Sequence, residues 1–356
     1  MGHFSSMFNG LTPSFLIKKV RNNNGNREAA DEMAREAKKN ELILRSSGYI
    51  YADGSNTLAS VFSKRGEKGV NQDCAIVWEK FGCQEDIIFC GIFDGHGPWG
   101  HFVAKHVRNS LPSSLLCNWQ ETLAHIELNT ETGLESDKKL QPFNIWKRSY
   151  LKTCSEVDQE LENQRKIDTF YSGTTGLTIV RQGEDIYVAN VGDSRAVLAT
   201  VSAEGSLVSV QLTIDFKPDL PQEEERIVRS NGRVFCLEDE PGVQRVWLPD
   251  EESPGLAMSR AFGDYCIKEY GLVSVPEVTQ RRITTRDQFV ILATDGVWDV
   301  ISNQEAVEIV SSVSERPKAA RRLVEKAVKA WKKKRPGFAM DDISAICLFF
   351  HSSSSK

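Results

Sequence analysis

The stretch IIFCGIFDGHG (87–97) and its counterpart FVILATDGVWD (289–299) share one grammar: an apolar run of strand-forming residues that stops at Asp-Gly. The first ends at Asp94, Gly95, His96 and Gly97; the second ends at Asp295 and Gly296, with Asp299 just beyond. A third carboxylate pair, Asp341-Asp342, stands immediately before the apolar run ISAICLFF (343–350). A carboxylate at the rim of an apolar sheet is costly to desolvate alone, so it calls for a cation, an array of donors or a metal. Glycine after the Asp permits positive φ and close backbone approach, and it frees a carbonyl oxygen to act as a ligand. A single Asp-Gly is more often a turn than a site. Three carboxylates at the ends of apolar runs point instead to convergence, and oxygen ligands without a cysteine cluster select a hard cation such as magnesium or manganese. Spacing alone does not show that they meet.

Outward from these runs, the chain beyond about residue 60 reads as β-rich, with CAIVW (74–78), TTGLTIV (174–180), DIYVANVG (185–192), RAVLAT (195–200) and VSVQLTI (208–214). RQGED (181–185) predicts a hairpin turn. Helices are expected at 100–110, 144–163, 223–230 and 318–334, with another opened by a capping box at Ser302 and Glu305. Many strands with late helices predict an α+β fold, a large mostly antiparallel sheet system flanked by helices. Segments 121–142 and 241–254 read as surface insertions, and the acidic run Glu223–Glu225 as a solvated face with no role.

The 356 residues, 40% hydrophobic and 26% charged, describe a globular chain of one large domain with extensions or of two ordinary domains. A net charge of -5 lacks the basic excess of a nucleic-acid binder. The eight cysteines are scattered without a C-x-x-C pair, which argues against structural zinc and for small core residues. No secretory h-region, long apolar run or glycosylation sequon is present, so a reducing cytosolic or nuclear compartment is expected.

The runs KGVNQD (68–73), FDGHGPWG (93–100), SGTTGLT (172–178), VANVGDSRAVLA (188–199), LAMSRAFGDY (256–265), LATDGVWDV (292–300) and MDDIS (340–344) resemble, in order, the motif set of the metal-dependent Ser/Thr protein phosphatases of type 2C. Segment 67–101 resembles plant growth-regulating members of clade E. The resemblance implies one catalytic domain at 60–351, an N-terminal extension at 1–59 and a polar tail at 352–356. It implies the type 2C β-sandwich, two antiparallel sheets flanked by helices in four αββα layers.

The activity so implied is hydrolysis of phosphoserine and phosphothreonine in plant signalling, by direct attack of a metal-bridging water at a binuclear magnesium or manganese centre. Phosphate monoesters are among the slowest to hydrolyse uncatalysed, and two ions supply a nucleophile and positive charge together. By resemblance Asp94 bridges the two ions, the Gly95 carbonyl binds one, and Asp295 and Asp341 bind the other. Asp193 and Asp299 resemble ligands of a third, looser ion, with a turn-stabilising role as the alternative for Asp193. His96 resembles the general acid, against metal ligation or a structural turn. Lys68 stands where many relatives carry a phosphate-holding Arg, and Gln72-Asp73 where many carry Glu-Asp, replacing one anionic group beside the metals with an amide. Thr175 and Arg260 lie in motifs without an assigned step. Implied partners are phosphorylated protein substrates and protein kinases, not nucleic acid. The alternative is a membrane-tethered pseudophosphatase that binds phosphoproteins without turnover, which Lys68 and Gln72 motivate.

At the start, MGHFSS matches M-G-x-x-x-[ST] with Gly2 and Ser6, an N-myristoylation signal. Lys18, Lys19, Arg21 and Arg27 all precede the first acidic residue, Glu28. One acyl chain plus a basic stretch makes a two-signal peripheral anchor, with an ordinary extension as the alternative. A cytoplasmic protein associated with the plasma membrane is therefore expected. WKKKRPG (331–337) admits a nuclear signal, but Leu323, Ala327, Ala330 and Trp331 recur at helical spacing and favour an amphipathic helix with a solvated basic end.

Overall fold

The strand Ile87–Phe93 is buried along its whole length because both of its faces are covered. Ile87, Phe89 and Phe93 pack in a core beneath two helices, whereas Ile88, Cys90 and Ile92 pack between two sheets. That double burial turns the usual apolar–polar alternation into an unbroken apolar run. The computed structural model describes residues 49–51, 58–131, 141–238, 240–251 and 253–351. The Gly2 signal, the basic residues through Arg27 and the 352–356 tail lie outside the described residues.

Six strands form the first sheet, in the order Tyr49–Tyr51, Cys74–Glu79, Ile87–Phe93, Gly176–Gln182, Asp185–Val191 and Glu277–Arg282. Five form the second: Leu207–Gln211, Arg195–Val201, Asp287–Ala293, Ile343–Phe349 and Ala59–Lys64. Neighbours are antiparallel except Tyr49–Tyr51, which runs parallel to Cys74–Glu79 and joins the sheet ahead of the expected boundary at 60. The hairpin at 181–185 forms, with Gln182 paired to Asp185 and Gly183 at φ 59.

Between the sheets lie Val77, Ile179 and Val188 from one side and Leu198, Leu292 and Ile346 from the other. Helices Gly100–Glu131 and Pro142–Glu162 cover the outer face of the first sheet through Val107, Leu111, Trp146 and Tyr150. Helices Asn303–Ser311 and Ala319–Lys334 cover the second through Val307, Leu323 and Ala327. The result is the expected four-layer αββα sandwich.

Several local expectations change. The first helix does not stop near 110: it runs through Pro112 to Glu131, so 121–131 is helix and not a loop insertion. An internal proline costs a helix about 3 kcal/mol, and the buried side chains of Leu111, Leu115, Leu116 and Trp119 on the core face offset it. The 241–254 segment carries half of a two-stranded ribbon, Arg233–Phe235 with Arg245–Trp247, whose Trp247 is buried. None of the eight cysteines forms a disulfide among the described residues, and Cys83 is exposed, so not every one is a core residue. The Ser302–Glu305 capping box is present. At the basic helix end Leu323, Ala327 and Trp331 are buried while Lys332, Lys333 and Lys334 are exposed, the amphipathic arrangement. Among the described residues no helix is long and apolar enough to cross a membrane.

Candidate active site

The last residue of each rim strand is paired deep in its sheet, Phe93 with Cys74 and Ala293 with Ala345, so the Asp that follows emerges at the sandwich edge. An added Cβ on Gly95 would stand 2.5 Å from the Gly100 carbonyl oxygen and 2.8 Å from that of Gln72. On Gly296 it would stand 2.0 Å from the Asp342 carbonyl oxygen. Neither glycine adopts positive φ, so the expected left-handed backbone is not used and close approach alone demands glycine.

Hydrogen bonds knit the rims together. The Asp94 N–H donates to Thr175 Oγ1 at 3.0 Å, and the Asp94 carbonyl accepts from the Thr175 N–H at 2.9 Å and from Thr174 Oγ1 at 3.0 Å. Thr294 Oγ1 donates to Asp73 Oδ2 at 3.0 Å. The Asp342 carboxylate accepts the Gly66 N–H at 2.7 Å and the Gln72 N–H at 2.8 Å, pinning the loop that carries Lys68. Gln72 Nε2 in turn donates to the Gly97 carbonyl at 3.0 Å.

The expected carboxylates do meet electrostatically. Desolvation raises the pKa of Asp94 well above the carboxylate range, and the charges of Asp73, Asp295, Asp341 and Asp193 raise it further. Asp295 is raised well above it for the same reasons, through burial and then Asp193, Asp341 and Asp299. Burial likewise pushes Asp73 up to about 7. Two lysines answer part of this charge. Lys68 Nζ lies 2.5 Å from Asp341 Oδ2, and Lys217 pairs with buried Asp193. Arg335 stands 3.8 Å from Asp299, and both side chains are partly exposed.

His96 Nε2 lies 2.6 Å from Asp264 Oδ2. Burial alone would lower the His96 pKa, but the charge and hydrogen bond of Asp264 outweigh it and hold the imidazole above its ordinary 6.5. His96 Nδ1 is buried and has no hydrogen-bond partner.

The cluster suits a divalent cation. Its donors are all oxygens, and Asp73 Oδ1, Asp193 Oδ1 and Gln72 Oε1 are buried without a partner. Among the described residues no trio of His, Cys, Asp or Glu side chains is drawn into a ready coordination group. Asp341 and Asp193 each pair with a lysine.

Four partners were given no site role by the sequence. Asp264 follows the strand Phe262–Gly263, the same strand-then-Asp grammar on a strand too short to read. Lys217 had no signal beyond a lone Lys-Pro. Asp342 was legible only as the neighbour of Asp341. Glu223 overturns the reading of its run as a solvated face: it is 2% exposed, because helical spacing places it inside with Ile227 while Glu224 and Glu225 stay outside. Its carboxylate accepts from Arg226, Arg260 and Ser259, which gives motif residue Arg260 its role.

A family model described as Protein phosphatase 2C matches residues 60–335. The chain is 77% identical over 358 residues to "Probable protein phosphatase 2C 73" of Arabidopsis thaliana, covering 99% of this chain and 96% of that one. It is 76% identical over 360 residues to "Probable protein phosphatase 2C 34" of the same plant, covering 100% and 99%. The crystal structure of serine-threonine phosphatase 2C from Toxoplasma gondii matches with a TM-score of 0.73 at 26% identity, over 84% of this chain and 96% of that one.

Proposed function

The chain belongs to the protein phosphatase 2C family and is a Ser/Thr protein phosphatase, and on that premise we propose that phosphoserine and phosphothreonine esters react at the rim of Asp94, Asp295 and Asp341. The family is metal-dependent. In this reading Asp94, the Gly95 carbonyl, Asp295 and Asp341 hold two magnesium or manganese ions, and Asp193 with Asp299 holds a third more loosely. A divalent cation bound there lowers the pKa of an attacking water and withdraws charge from the phosphoryl oxygens. The observation that carries the reading is the raised pKa of Asp94 and Asp295, since carboxylates that repel one another at one rim favour a cation between them.

The chain's own groups take the remaining tasks. Asp264 favours the protonated form of His96, and Nδ1, which has no hydrogen-bond partner, is the atom from which a proton passes to the departing Ser or Thr oxygen. Thr175 and Thr174 hold the Asp94 backbone so that its carboxylate does not swing with the loop. Asp342 fixes the loop from which Lys68 reaches substrate phosphate as a point charge once its ammonium leaves Asp341. Gln72, neutral where a carboxylate would bind metal more tightly, orients through the Gly97 carbonyl.

Phosphate release from a phosphothreonine peptide with manganese tests the site. Activity is expected to vanish with excess chelator and in Asp94→Asn, and turnover that survives either overturns the assignment.

The cellular setting we propose is plant phosphorylation signalling, opposite the protein kinases that modify the same substrates, in a cytoplasmic protein tethered to membrane through Gly2 and the basic residues Lys18 to Arg27. Gly2→Ala should move the protein from the membrane to the soluble fraction, and an unchanged distribution would refute the tether.

A further inference from the structure

Two pairs of exposed aromatic rings flank the seam that carries His96. Trp99 and Phe102 are 40% and 42% exposed, and Phe170 and Tyr171 are 50% and 51% exposed. Among the described residues these are four of the five exposed aromatic side chains, Phe338 being the fifth. A single exposed apolar residue needs no explanation, but clustering of aromatics does.

The backbone ties both pairs to the site. His96 pairs with Gly173 in a small sheet, so the segments 96–99 and 170–173 run side by side. Glycine at 97 lies so close to Tyr171 that an added Cβ would stand 2.2 Å from its carbonyl oxygen. The Trp99 N–H donates to Ser172 Oγ at 2.9 Å. Asp168 Oδ1 accepts the N–H groups of Phe170 at 3.0 Å and Tyr171 at 3.3 Å, and the Phe170 carbonyl accepts from the Cys266 N–H at 3.1 Å. The rings also brace one another, Trp99 on Phe102 at 5.3 Å between centroids and Phe170 edge-on to Tyr171 at 4.8 Å. Rings held on pinned backbone lose little entropy when a partner covers them, which is why such residues dominate binding surfaces.

We propose that these four rings form a substrate-docking rim that selects phosphoprotein segments carrying a large aliphatic or aromatic side chain close to the phosphorylated residue. The rim is continuous with the phosphoester site, so the occupant is the chain that presents the phosphate. Three residues of extended chain reach about 10 Å, and Trp99 follows His96 by three residues, so the selected side chain falls within about four residues of the phosphoresidue. The proposal rests on His96 and Asp94 marking the reacting site.

The test compares wild-type kcat/KM on two phosphothreonine peptides that differ only in flanks, one with Leu and Phe and one with Gly and Ser. Covering half-exposed rings should favour the apolar peptide by about tenfold. The double variants Trp99→Ala/Phe102→Ala and Phe170→Ala/Tyr171→Ala should lose that preference while keeping wild-type turnover of p-nitrophenyl phosphate. Equal wild-type rates on the two peptides overturn the proposal without any variant. So does a preference that survives in both double variants. A loss on p-nitrophenyl phosphate matching that on the apolar peptide also overturns it, because the rings would then support the fold. If the rings met a lipid surface instead, the full-length double variants would sediment less with anionic vesicles and keep their peptide preference, which again rejects the docking role. Failure of the site itself is separate, since it would show as Asp94→Asn retaining p-nitrophenyl phosphate turnover.

Discussion

Replacing Glu223 by glutamine removes one negative charge from beneath two guanidinium groups. The carboxylate accepts from Arg226 Nη1 and Nη2 at 2.8 Å each, from Arg260 Nη2 at 2.7 Å and Nε at 3.0 Å, and from Ser259 Oγ at 2.6 Å. Burial alone would raise its pKa, yet the bonds from Arg260, Arg226 and Ser259 carry it from 4.5 down to about 2. A depressed carboxylate stabilises the fold above its unfolded pKa, and that contribution fades as pH falls through the folded value. At about 1.4 kcal/mol per unit the shift amounts to about 3 kcal/mol at neutral pH and about 2 kcal/mol at pH 3.5. Glutamine also leaves the two arginines without their anion, so Glu223→Gln should cost about 3–5 kcal/mol at pH 7.

The network closes a segment that begins beside Lys217, the partner of Asp193, and ends beside Asp264, the partner of His96. Loosening it should therefore lower peptide turnover as well as stability. Urea unfolding of wild type and variant from pH 7 to pH 3.5 measures the difference, which should hold steady down to about pH 5 and then shrink. A difference below about 0.5 kcal/mol at pH 7, the range of ordinary surface changes, or one that does not vary with pH, refutes the reasoning.

Asp94→Asn should raise the melting temperature without divalent cations and shrink the rise that manganese produces, because the raised pKa of Asp94 means the native state loses stability as pH climbs above the ordinary 3.8; a lower melting temperature without cations counts against it. His96→Asn should cut kcat on a phosphothreonine peptide by about 10²- to 10⁴-fold and far less on p-nitrophenyl phosphate, whose leaving group needs no proton; equal losses on both would remove His96 as the acid. Lys68→Gln frees Asp341 from an exposed ion pair worth up to about 1 kcal/mol, so calorimetry should find manganese bound up to about fivefold more tightly while the KM for substrate rises. Weaker manganese binding would contradict that competition.

The sandwich was legible because its inner strands are apolar on both faces, and local composition alone reveals such runs. The rim carboxylates Asp94, Asp295 and Asp341 were legible for the same reason, since a charge at the end of an apolar strand stands out against its neighbours. The first helix outran its expected end at 110, because tertiary burial of Leu115 and Trp119 carries it on past Pro112. Glu223 misled it too, because two of the three glutamates in its run are solvated and only packing singles out the third.

By itself the sequence determined the apolar inner strands of both sheets, where the carboxylates stand along them and, through the order of its motifs, the family, while the edge strands Tyr49–Tyr51, Ala59–Lys64 and Glu277–Arg282 gave no clear run. Only tertiary structure decided who pairs with whom: Asp264 with His96 across 168 residues, Asp342 with the Gly66 N–H across 276, and Lys217 with Asp193. Strand propensity and apolar patterning are properties of neighbouring residues, which sequence order records. Ionisation, proton placement and charge pairing follow from distance and desolvation, and those exist only once remote segments have been folded onto one rim.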